Sequence, residues 1–111
     1  MRQRDKLVAQ LFKTEELEID GEKYFIREMT AGAATEYEES LLDMSSGKPV
    51  YKLKGAKSRM VQACLFTEKG EHVFEKKDLL LVESMPKSLV EKIFDLATRV
   101  NSLDPKVTEK N

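Results

Sequence analysis

Tryptophan is absent from this 111-residue chain, and cysteine and histidine occur once each, as Cys64 and His72. A single cysteine cannot close an intramolecular disulfide, which excludes a secreted scaffold stapled by such bonds. With one cysteine and one histidine there is no spare part for a Ser-His-Asp or Cys-His arrangement, and no zinc site can be built from this chain alone. No apolar run approaches the ~20 residues needed to cross a bilayer. The opening "MRQRDKLVAQLFKTEE" is basic but lacks a long apolar segment with a small-residue cleavage site, so a cytoplasmic location is expected. An excess of either charge is missing too. Lys and Arg number 19 against 20 Asp and Glu, giving a net charge of -1, so neither nucleic acid nor membrane is an expected partner. No glycine-rich phosphate loop is present, and "EIDGEK" lacks the ligand spacing of a calcium loop. No catalytic residue, metal or cofactor is expected, and the chain does not read as an enzyme.

What remains is a charged, soluble pattern with a modest core. Residues 1–103 read as one domain, mainly α-helical with a small N-terminal β element, an α+β fold with about four or five helices. Residues 104–111 read as a disordered tail. Residues 4–13 carry Leu7, Val8, Leu11 and Phe12 at helical spacing and predict a short amphipathic helix. Such a helix is marginal alone. Its apolar stripe therefore packs on this domain or joins copies of the chain, and both readings stand open for Leu7, Leu11 and Phe12.

Residues 15–29 predict a β-hairpin. A turn at Gly21-Glu22 sets Ile19 opposite Tyr24 and Leu17 opposite Ile26, and pairs Asp20 with Lys23 and Glu16 with Arg27. An Asp20-Gly21 turn sets Ile19 against Glu22, a poorer pairing, so the first register is expected. The other face carries Phe25, Arg27 and Met29. It either packs against a helix or binds a partner.

Thr30 suits the N-cap of a helix over 31–43, with Ala34, Tyr37, Leu41 and Met44 as its stripe. "SSGKPVYKLKG" reads as a loop, and its lysines as a solvated surface rather than a phosphate site. A helix over 57–67 buries Met60, Val61, Cys64 and Leu65, which makes Cys64 a core thiol rather than a nucleophile. "HVF" suggests a very short strand. A stubby helix covers 76–83, and Pro86 opens a final helix with Leu89, Val90, Ile93, Phe94, Ala97 and Val100 on one stripe.

Taken in order, these parts resemble a known family. "LEIDGEKYFIREMTAGAATEYEE", "AKSRMVQACLFTEKGEHVFEKKD" and the closing Arg-x-Asn-x-Leu at Arg99, Asn101 and Leu103 are similar to the tail assembly chaperones of long-tailed bacteriophages and prophages. The resemblance spans about residues 15–103 and implies a non-enzymatic protein in the bacterial cytoplasm. Such a protein binds the tape measure protein, keeps it soluble, helps recruit tail tube protein through a longer frameshifted form, forms homo-oligomers and is absent from the finished virion. On that reading Phe25, Arg27 and Met29 are candidate partner-binding residues, and Leu7, Leu11 and Phe12 candidate self-association residues. The N-terminal helix and the lysine-rich loop fall outside the family pattern. The alternative is a small adaptor or antitoxin-like regulator that binds a host protein or DNA.

Overall fold

The computed structural model describes residues 2–102; the tail expected at 104–111 lies outside them. Strand β1 (Thr14–Ile19) pairs antiparallel with β2 (Glu22–Arg27) across a turn at Asp20 and Gly21, both with positive φ, 51° and 81°. Positive φ at both central residues defines a type I′ turn, which Asp-Gly suits better than any other pair except Asn-Gly or Gly-Gly. The register is therefore Ile19 opposite Glu22 and Leu17 opposite Tyr24. This corrects the Gly21-Glu22 turn, because turn geometry outweighs a few exposed charge pairs. The correction is a slip of two residues, so side chains keep their faces. Leu17 and Ile26 still point together into the core, but Lys23, expected opposite Asp20, instead reaches Glu16 diagonally at 3.1 Å.

A third strand, β5 (Leu65–Thr67), closes the sheet in the order β1-β2-β5. The sequence predicts helix to residue 67. Helix α3 (Ala56–Cys64) instead ends at Cys64 and passes directly into extended backbone. The outer edge of β2 has backbone groups that need partners, and Leu65 and Phe66 supply them opposite Ile26 and Phe25. The strand expected at "HVF" is reduced to one bridge between His72 and Phe66.

One face of this sheet meets α3 and the long α5 (Lys87–Asn101), and the core lies between them. Ile26, Val61, Cys64, Val82, Ile93 and Ala97 are completely removed from water. The large aliphatic ones each contribute about 1.5–3 kcal/mol of burial energy. The stripe expected on α5 is the one it buries, through Ile93, Ala97 and Val100. Val82 enters the core from α4 (Leu79–Glu83), which follows a 3₁₀ turn at Lys76–Asp78 capped reciprocally by Glu75 and Asp78. Its neighbours Leu80 and Leu81 face water.

Helix α2 (Ala31–Ser40) begins where expected, with the Thr30 hydroxyl accepting from the Ala33 amide at 3.1 Å. It stops earlier than the expected 43. Leu42–Asp43 and Val50–Tyr51 form β3 and β4, a second antiparallel hairpin where a loop is predicted. Helix α1 covers Gln3–Val8, shorter than the expected 4–13, and buries nothing. Leu7, Val8 and Leu11 are 72%, 85% and 94% exposed. None of the three is packed into the core of this chain.

Candidate protein-docking groove

The phrase "IREMT" at residues 26–30 assigns each side chain a different task. Ile26 fills the core, while Arg27, one residue on, points to the opposite face of the sheet. There its guanidinium carbon lies 4.2 Å from the Phe66 ring centre and 4.6 Å from that of Phe12. The Glu28 carboxylate accepts the Lys13 amide at 2.7 Å, and the Glu28 amide donates to the Lys13 carbonyl at 2.9 Å. These bonds and the Phe12–Arg27 stack attach the N-terminal segment to the sheet. Met29 donates its amide to Asn101 Oδ1 at 2.7 Å, and Thr30 starts α2.

Asn101, at the last turn of α5, also donates from Nδ2 to the Ala97 carbonyl at 2.7 Å and to Cys64 Sγ at 3.3 Å. One amide side chain thus joins the exit of the hairpin, the end of α3 and the end of α5. Burial pushes the Cys64 thiol up to about 11, so it stays protonated at neutral pH. Cys64 therefore lies in the core as a small apolar side chain.

Where the sheet's second face meets α2, α3 and α4, the chain leaves an open groove of about 540 Å³. Phe12, Met29, Ala33, Tyr37, Ala63, Phe66 and Leu79 give it apolar walls, and Arg27, Glu28, Glu36, Arg59, His72 and Lys76 give it polar ones. Tyr37 has its hydroxyl pKa raised by burial against these walls. Arg59 is held by Ser40, donating from Nε to the hydroxyl at 2.8 Å and from Nη2 to the carbonyl at 3.4 Å. Such a surface fits the apolar side of a polypeptide. It has no metal cluster, since no three His, Cys, Asp or Glu side chains converge among the described residues.

Of the expected partner-binding residues, Arg27 and Met29 line this groove, whereas Phe25 lies half-buried beside it, opposite Phe66. The expected self-association residues also separate. Phe12 joins the groove, and Leu7 and Leu11 stand in water. Tyr37, Arg59, Ala63, Phe66 and Leu79 were not singled out as site residues. Tyr37 had a legible place on the α2 stripe; the others reach the groove only through the α3–β5 junction and the packing of α4.

A second apolar surface is the β3–β4 arm, which exposes Leu42, Met44, Val50, Tyr51 and Leu53, Tyr51 and Leu53 at 73% each. The alternation in "VYKLK" was its signal, masked by Gly47 and Pro49. Among the described residues no helix is long and apolar enough to cross a membrane.

No family model matches the chain, and no curated protein matches it. The solved structure of the bacteriophage HK97 tail assembly chaperone is similar in fold, with a TM-score of 0.63 at 16% identity over 89% of this chain and 98% of that one. At that identity the likeness is one of architecture, an α+β, mainly helical fold with its small sheet near the N-terminus.

Proposed function

We propose that this chain is a tail assembly chaperone of a long-tailed bacteriophage or prophage, acting in the cytoplasm of the bacterial host without enzymatic activity. The observation that carries this reading is the apolar groove between the sheet, α2 and α3, in a chain whose fold is that of a phage tail assembly chaperone. The tape measure protein is the proposed occupant. A long amphipathic helical protein aggregates through its apolar stripe unless that stripe is covered, and many modest grooves on many copies cover it reversibly. A coat that must be shed before the virion is complete needs small interfaces rather than an obligate one. Recruitment of tail tube subunits, through a longer form of the protein, follows on this reading.

The N-terminal segment supports self-association. Leu7 and Val8 are exposed on a helix too short to be stable without a packing surface, and Leu11 is exposed just beyond it. Concentration-dependent mass in solution should fall to that of a single chain when residues 1–11 are deleted, which leaves Phe12 and Lys13 on the sheet, with the fold retained.

The test of function is capture of a tagged copy from phage-producing cells during tail assembly. Recovery of one very long helical protein, with or without tube subunits, supports the chaperone. Recovery of a host regulator or of DNA, with no tail component, overturns it in favour of an adaptor.

A further inference from the structure

The groove's charged groups are not equivalent. Its two carboxylates are already engaged, Glu28 by the Lys13 amide and Glu36 by the Lys76 ammonium at 2.7 Å. Its two arginines lack a charged partner, although Ser40 holds Arg59 through two hydrogen bonds. Among the described residues neither Arg27 nor Arg59 has a carboxylate within ion-pair distance. Arg27 goes further, because its Nε is shut off from water and has no hydrogen-bond partner. A buried donor left unmade is rare in a folded protein and costs about 1–3 kcal/mol.

Nε itself is closed off, so a partner would meet the guanidinium through its remaining N–H groups, and the stacking bears on which acceptor suits them. The Arg27 guanidinium carbon lies over both the Phe12 and Phe66 rings, and an arginine packed on aromatic faces keeps in-plane N–H groups for hydrogen bonding. A carboxylate meets such an edge with parallel bonds, stronger than those of a neutral acceptor. Arg59, its side chain fixed by Ser40 on the neighbouring wall, adds positive charge along the same groove.

We propose that the groove selects an acidic amphipathic helix: apolar side chains settle between Met29, Tyr37 and Leu79, and a flanking Asp or Glu of the partner binds the Arg27 edge, with Arg59 adding to the attraction. This rests on the chaperone reading and narrows it, naming the stretches of a long helical partner that the groove would hold.

The test uses the full chain and two fluorescent helical peptides of about 20 residues, identical on their Leu-rich face and flanked by either Glu or Lys. The acidic peptide is expected to bind roughly tenfold more tightly by fluorescence anisotropy. Net charge alone gives the opposite order, since the chain carries -1. Arg27→Gln should bring the two affinities to within about twofold of each other, by weakening the Glu-flanked peptide and relieving repulsion of the Lys-flanked one. Arg27→Lys should restore only part of the preference, because it keeps the charge and loses the planar edge. If Arg27→Gln does not fold by circular dichroism, Arg59→Gln takes its place, with a smaller but same-signed loss expected. Equal binding of both peptides, no binding of either, or a preference that survives both substitutions overturns the proposal. Capture of a long helical tail protein alongside any of those results would leave the chaperone reading standing and remove only this selectivity.

Discussion

Among the described residues, two β-hairpins have opposite fates. The first, β1–β2, has six-residue strands, a type I′ turn and a third strand along its edge, and it sends Leu17 and Ile26 into the core. The second, β3–β4, has two-residue strands, adds no third strand and leaves its apolar side chains in water. Both have similar local chemistry, with apolar residues around a turn with a glycine at positive φ. What separates them is tertiary: the first is covered by α3 and α5, the second by nothing among the described residues. A hairpin without cover is barely stable in water. The first therefore carries the fold, and the second is a surface.

The sharpest way to test that division is to truncate one side chain on each hairpin. Ile26→Ala, at a fully buried site, should cost about 2–5 kcal/mol in urea unfolding. Val50→Ala on the arm should change stability by less than about 0.5 kcal/mol. A large loss from Val50→Ala would show that the arm is part of the folded core.

The core under the first hairpin should also respond to alkali through Cys64. Its thiol pKa is raised from 9.0 to about 11 by burial. Below pH 9 the thiol is protonated in both folded and unfolded chains. Between pH 9 and 11 only the unfolded chain releases the proton, so stability falls, by about 3 kcal/mol in total. Tyr37, raised in the same direction, adds to this slope. Cys64→Ala should remove the larger share of it, read as urea midpoints across that range; an unchanged slope would exclude the thiol as its source.

Asn101→Ala should cost about 1–3 kcal/mol, because it leaves the Met29 amide at the hairpin's exit without its acceptor. Amide exchange at Met29 should speed up with it, and the arm's should not. The smallest contrast lies in the turns. Gly21→Ala, at φ 81°, should lose about 1 kcal/mol, whereas Gly47→Ala, at φ 86° in the arm, should leave global unfolding unchanged because the arm's conformation is not coupled to the core.

Much of the first hairpin's environment was legible in sequence, and the second's was not, for the same physical reason. Face assignment needs only alternation, so Leu17, Ile26, Arg27 and Met29 could be placed without a structure. The 3.6-residue period did as much for Ile93, Ala97 and Val100, and Thr30 marked the start of α2. The register needs the turn type, and the charge pairs that favour the other turn, Asp20 with Lys23 and Glu16 with Arg27, are not set opposite each other in the structure. Strand β5 depends on an edge that exists only after β2 has formed, so "LFT" read as the end of a helix. The groove is likewise a product of assembly. Arg27 and Met29 could be read as its candidates, while Arg59 and Leu79 arrive from elements whose packing no local pattern specifies. Leu7 and Leu11 left two readings open, and their exposure removes the one in which they fill this domain's core.

The bond from Met29 to Asn101 spans 72 residues, and it sets the order of events on the ribosome. The hairpin, α2 and α3 are synthesised first, yet the cover that α5 adds to the sheet's apolar face is complete only when its last turn has emerged. Until then the part of the core that Ile93, Ala97 and Val100 complete is open to any apolar surface nearby. Closing so long a loop is slow compared with forming a hairpin or a helix. Each nascent copy therefore passes through an interval in which its own core is an adhesive surface, and the speed of α5 docking decides whether it meets itself or a neighbour.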